Sequence, residues 1–293
     1  NIFAKGQSLT DITIRAIKGL EEVIVDFKPD LILVQGDTTT VFSGALAAFY
    51  NEVKIGHVEA GLRSGNLYSP YPEEANRKLT GVLTNFHFAP TEESKKNLIA
   101  EGYQESSIYV TGNTSIDALL DVVDDNYSFE DDTLNNIDYE NKKVILMTAH
   151  RRENLGRPME DIFKAIRRIV DENDDVELIF PVHLNPRVRE IADSHLGAND
   201  RIHLIEPLDY LPFANLQKKV HMIVTDSGGI QEEAPTLGKP ILVIRRETER
   251  PEGIAAKTAR LIGVEGDTVY RDCLLYTSPS PRDRTRSRMP SSA

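Results

Sequence analysis

The segment Thr225-Asp226-Ser227-Gly228-Gly229-Ile230-Gln231-Glu232-Glu233 carries the densest chemical signal in the chain. Its glycines fall between the apolar run His221-Met222-Ile223-Val224 and a helical pattern ending near Gly238-Lys239-Pro240. A loop at such a strand-to-helix junction offers unpaired backbone N–H groups and the positive end of a helix dipole, which suits a phosphate. Glu233 then falls about one turn into the helix, within reach of a sugar hydroxyl. An SGG turn alone is more often an ordinary βα connection, and the surrounding residues reverse that balance in favour of a phosphate site.

Those neighbours are acidic and basic in turn. Asp37 sits in Gly36-Asp37-Thr38-Thr39-Thr40, Glu59 in His57-Val58-Glu59-Ala60-Gly61-Leu62-Arg63, and Glu73 in Pro72-Glu73-Glu74-Ala75-Asn76-Arg77. Taken singly, each has a structural reading: a helix N-cap for Asp37, an ion pair to Arg63 for Glu59, a helix-dipole contact for Glu73 and Glu74. Gathered in one cleft, they have a chemical reading, because crowding and desolvation turn carboxylates into general acids and bases near neutral pH. His150, followed by Arg151 and Arg152, suits an anionic ligand better than an apolar core. His183, in Pro181-Val182-His183-Leu184-Asn185-Pro186, reads equally as a ligand contact or a structural histidine. Arg245, Arg246 and Arg250 follow the last strand signal, and guanidinium binds diphosphate oxygens bidentately.

The elements that must position these groups alternate along the chain. Helical spacing runs over 8–27, 39–51 and 73–83. Strand signals fall at 31–34, 54–58, 86–89 and 108–111, then at 144–148, 176–182, 202–205, 222–225 and 241–244. Alternation of this kind predicts parallel sheets covered by helices, the doubly wound α/β class. A polar, acidic stretch at 126–141 predicts a junction, giving domains at 1–125 and 142–272 joined by an acidic linker. In such folds the ligand sits at the carboxyl ends of strands. Asp37, Glu59, His150, His183 and Ser227 all follow strand signals directly.

Composition narrows the classes. The 293 residues predict two domains, and the net charge of −12 argues against a nucleic-acid partner. No apolar run reaches the roughly 18–20 residues of a membrane span. One cysteine, Cys273, leaves no disulfide framework or cysteine metal cluster. HExxH, GxGxxG and GxSxG patterns do not occur, so neither a metal nor a bound dinucleotide cofactor is expected. The bulk reading is a cytoplasmic enzyme or binding protein. Residues 273–293 lose apolar periodicity and hold four arginines and one aspartate, and are read as a non-native tail.

Eight segments together resemble one family, the bacterial non-hydrolysing UDP-N-acetylglucosamine 2-epimerases. They are GDTTT (36–40), GHVEAGLRS (56–64), YSPYPEEANR (68–77), VTGNTSIDAL (110–119), TAHRREN (148–154), PVHLNP (181–186), TDSGGIQEEAPTLGKP (225–240) and ERPEGI (249–254). The resemblance runs from about residue 8 to 265 and implies a glycosyltransferase-B-like fold with two Rossmann-like domains. It implies a homodimer, UDP-N-acetylglucosamine and UDP as partners, no cofactor, and an envelope polysaccharide as the destination of the product. By position it makes Asp37, Glu59 and Glu73 the acid/base carboxylates and His150 the active-site histidine. Ser227, Gly228 and Gly229 become the phosphate loop, Glu233 the ribose contact, Arg250 a UDP contact and Phe213 the uracil support. His183 is placed at a possible allosteric subsite. The family's opening strand and its GTRPE-type loop have no counterpart here, so the expectation is an incomplete first domain and a chain of low stability and weak activity.

Overall fold

The computed structural model describes residues 6–248 and 251–277, which form two compact units, one ending at Thr114 and one starting at Ser115. The first opens with α1 (Leu9–Phe27), capped by a reciprocal pair in which the Ser8 hydroxyl oxygen accepts from the Asp11 N–H and the Asp11 carboxylate accepts from the Ser8 N–H. Four parallel strands follow with their connecting helices: β1 (Leu31–Gln35), α2 (Thr39–Tyr50), β2 (Lys54–Val58), α3 (Glu73–Leu83), β3 (Phe86–Ala89), α4 (Glu92–Ala100) and β4 (Ile108–Val110). They pair in chain order, β1-β2-β3-β4. Ile17, Leu20 and Ile24 of α1 recur at helical spacing and pack with Val34, Ala45, Ala48 and Ile55. Gly61, just past β2, has φ +90°, and a Cβ there would lie 2.3 Å from the Ser94 carbonyl oxygen, so the loop passes α4 at a distance only glycine permits.

The second unit begins with α5 (Thr114–Val122), which straddles the division, and α6 (Asp132–Asn136). Within the acidic stretch 126–141, Phe129, Leu134 and Ile137 are buried in the same cluster as Val144, Ile223 and Val243. The Asn135 side chain both accepts from the Phe129 N–H and donates to its carbonyl. Six parallel strands and their helices complete the unit: β5 (Lys143–Thr148), α7 (Arg157–Glu172), β6 (Val176–Pro181), α8 (Pro186–Leu196), β7 (Ile202–Ile205), α9 (Tyr210–Lys219), β8 (Met222–Thr225), α10 (Ile230–Thr236), β9 (Ile241–Val243), α11 (Pro251–Ala255), β10 (Ala259–Leu261) and α12 (Gly266–Thr277). The strand order β10-β9-β8-β5-β6-β7 reverses between β5 and β8, the doubly wound arrangement with a switch point between those two strands. Its four central strands, β9, β8, β5 and β6, are buried almost throughout, as a sheet covered on both faces requires.

One expectation needs correction. Helix α12 continues past Cys273 to Thr277, with Val269, Cys273 and Thr277 fully buried at spacing of four. The first five residues assigned to a tail are therefore part of this helix, with Cys273 and Thr277 in its buried face. The periodicity there is carried by a cysteine and a threonine, which read as weakly apolar. Residues 278–293 lie outside the described part. No described helix is long and apolar enough to cross a membrane. Two parallel-sheet α/β units are what a glycosyltransferase-B-like fold consists of.

Candidate functional site

In the first unit Asp37 and Glu59 stand just past the carboxyl ends of β1 and β2, and Glu73 opens α3. Gly36, with φ +83°, turns the chain out of β1, and the Glu59 Oε2 atom lies 3.4 Å from where a Cβ on Gly36 would be. Glu59 itself has φ +67°, a left-handed conformation that a glutamate adopts at a cost of about 1 kcal/mol or more. Strain of this kind is tolerated where it aims a side chain. From β2, buried His57 donates through Nε2 to the Gly36 carbonyl at 2.7 Å, which ties the two strand ends together.

Helix α3 locks Asp37 in place. Arg77 Nη2 meets Asp37 Oδ2 at 2.6 Å, and Asn76 donates to the Asp37 carbonyl at 2.9 Å. The other arm of Arg77 binds Glu74 Oε2 at 3.0 Å, and Glu74, fully buried, also accepts from the N–H groups of Ser64 and Gly65. Glu73 lies one turn before Arg77 on that helix. Its Oε2 atom is buried and has no hydrogen-bond partner among the described residues. A carboxylate oxygen desolvated without compensation is a costly arrangement that a ligand can relieve. The alternative structural roles fare differently: the N-cap of α2 is Thr38, and Arg63 pairs bidentately with Glu101. Glu74 is the structural member of its pair.

In the second unit a pocket of about 430 Å³ opens at the switch point, lined by His150, His183, Phe213, Ser227, Leu208 and Pro207 among others. Four residues singled out from sequence thus share one cavity. The His150 and His183 rings stack, with centroids 5.8 Å apart and planes 17° apart. Glu233 is on α10, where Gln217 Nε2 donates to its Oε2 at 2.7 Å. Burial raises the Glu233 carboxyl above the usual range, opposed by the Gln217 hydrogen bond and reinforced by the Glu232 charge. The Ser227 N–H is committed to Thr225 Oγ1 at 2.9 Å. Arg250 lies outside the described residues.

Sequence reasoning passed over Asp226, the residue that organises this end of the sheet. It is fully buried, and its Oδ2 accepts from the N–H groups of His150 and Arg151, both at 2.9 Å, and from Asn154 Nδ2 at 3.3 Å. Burial pushes the Asp226 carboxyl up, but His150 and the backbone N–H groups outweigh it and hold the group below its usual value. Its signal was present, since it follows β8 directly. Arg77 and Gln217 were also missed as organisers; nothing in their local sequence marks them, because their partners are 40 and 16 residues away.

Similarity to known proteins identifies the family. The family model described as UDP-N-acetylglucosamine 2-epimerase matches residues 1–289. A Bacillus subtilis protein named UDP-N-acetylglucosamine 2-epimerase is 56% identical over 271 residues, covering 92% of this chain and 70% of that one. The structure of S. aureus MnaA with UDP superposes with a TM-score of 0.88 at 55% identity, covering 92% of this chain and 73% of its own. That of the Neisseria meningitidis UDP-GlcNAc 2-epimerase, bound to UDP-GlcNAc, gives 0.87 at 48% identity, covering 93% and 75%. With strand-end carboxylates in one unit, a switch-point pocket in the other and a family match across nearly its whole length, the chain belongs to the UDP-N-acetylglucosamine 2-epimerase family.

Proposed function

We propose that the protein interconverts UDP-N-acetylglucosamine and UDP-N-acetylmannosamine by eliminating and re-adding UDP, without net hydrolysis. A carboxylate of the set Asp37, Glu59 and Glu73 removes the C2 proton. The C–H electron pair forms the C1–C2 double bond of 2-acetamidoglucal, and the C1–O bond breaks with its electrons leaving on UDP. Return of UDP to C1, with protonation of C2 on the opposite face, completes the inversion. Atoms balance with no change of oxidation state. The observation that carries the reading is the unpartnered, buried Oε2 of Glu73 on the helix that fixes Asp37. Pure UDP-sugar binding would not favour desolvated acids facing an anionic ligand.

In the second unit, Phe213 supports the uracil base and Glu233 takes a ribose hydroxyl. The Ser227 hydroxyl and the N–H groups of Gly228 and Gly229 face the diphosphate, with His150 beside it. Arg250 belongs to the same UDP contact, and His183 to a subsite that a second nucleotide sugar reaches. The protein acts as a cytoplasmic homodimer supplying N-acetylmannosamine units to an envelope polysaccharide. Incubation with UDP-N-acetylglucosamine in heavy water, followed by NMR at C2, tests the reaction. Deuterium at C2 together with UDP-N-acetylmannosamine is expected. Free N-acetylmannosamine and UDP would identify the hydrolysing reaction instead, and binding without exchange would identify a nucleotide-sugar sensor.

A further inference from the structure

We propose that Asp226 is a positioning residue that fixes the tautomer of His150, keeping Nδ1 protonated and presenting Nε2 to the ligand. Three observations carry this. His150 Nδ1 stands 2.9 Å from Asp226 Oδ1. That oxygen is buried and takes no well-aligned hydrogen bond among the described residues, and a bare ring-nitrogen lone pair facing an ionised oxygen at this distance would be repelled, so the contact favours a protonated Nδ1. The second oxygen is already saturated by two backbone N–H groups and Asn154, which hold the carboxylate against rotation. A carboxylate accepts and never donates in its ionised form, so a buried Asp226 selects the Nδ1–H ring. The ring remains partly exposed, 40% for its side chain, and lines the switch-point pocket, leaving Nε2 for the ligand. The carboxylate comes from the loop after β8 and the histidine from the loop after β5, so one pair of side chains bridges the strands at which the sheet reverses.

The role rests on His150 serving the diphosphate as proposed above. Its test is chosen to stand apart from that reading. Long-range proton–nitrogen NMR of the wild-type protein distinguishes the two ring tautomers, and neutral His150 is expected as Nδ1–H. Observation of the Nε2–H form would overturn the proposal. In Asp226→Asn the amide oxygen can still accept the backbone N–H groups while its NH2 faces the ring, so the tautomer is expected to flip. With the flip, C2 exchange should fall by about 10²-fold or more in kcat. UDP affinity should stay within roughly tenfold, because the phosphate loop is untouched. A variant that binds UDP yet keeps the Nδ1–H tautomer, or that keeps wild-type kcat, would also overturn it. Absence of C2 exchange in the wild type would sink the epimerase reading and leave the tautomer assignment to its own spectrum.

Discussion

At the scale of single residues, the first unit separates charges that hold structure from charges left for chemistry. Arg77, 3% exposed, satisfies Asp37 and Glu74 at once, and Glu74 is fully buried. Replacing Arg77 with Met strands a buried carboxylate, which costs about 3–5 kcal/mol. Urea unfolding should show that loss, and the double variant R77M/E74Q should recover part of it, since the second change removes the stranded charge. Glu73 predicts the opposite pattern. Its Oε2 takes no partner among the described residues, so Glu73→Gln should leave the urea midpoint near wild type or raise it. C2 exchange should fall by about 10²–10⁴-fold if it moves a proton. An E73Q protein that exchanges C2 at the wild-type rate would remove Glu73 from the acid/base set.

At the scale of elements, the strand ends carry the site and the loops after them carry the strain. Gly61 shows why the loop after β2 cannot be rebuilt freely: Gly61→Ala sets a methyl 2.3 Å from a backbone oxygen of α4 and asks alanine to hold φ +90°. A loss of more than about 2 kcal/mol is expected by thermal or urea denaturation. Several strands are plain in the sequence, because short apolar or aromatic runs bounded by polar residues and turns leave little ambiguity; β2, β3, β7 and β8 have the limits read from those runs. Strand β10 is not, since Ala-Arg-Leu is too short and too mixed to show a period. The anchors Phe129, Leu134 and Ile137 were hidden for a related reason: they sit at irregular spacing among acids, where only tertiary packing reveals them. The same limit applies to the site. Strand-end position flagged Asp37, Glu59, His150 and Ser227, whereas Arg77, Gln217 and the partnership of Asp226 with His150 depend on contacts between distant segments.

At the scale of the whole molecule, the buried histidines of the first unit make stability depend on pH in a definable window. His57 and His87 are each 1% exposed and pair across β2 and β3. Burial lowers His87 to about 4, helped by the charges of His57 and Arg63, while its ring packs 4.6 Å from that of Tyr103. Burial lowers His57 as well; the Gly36 carbonyl and Asp37 oppose this, and Arg63 and Arg77 assist it. A histidine whose folded value lies below its unfolded value near 6.5 favours the fold fully above 6.5 and loses that contribution as pH falls towards 4. For His87 the full difference is on the order of 3 kcal/mol. Carboxylates held low, such as Glu101 and Asp226, withdraw their support only at more acidic pH, so a fall in stability between about pH 6.5 and 5 belongs to the histidines. Urea midpoints measured across that range should decline steadily, and His87→Phe, which keeps a ring against Tyr103, should flatten the decline. An unchanged slope in H87F would assign the acid sensitivity to His57 or to groups of the second unit.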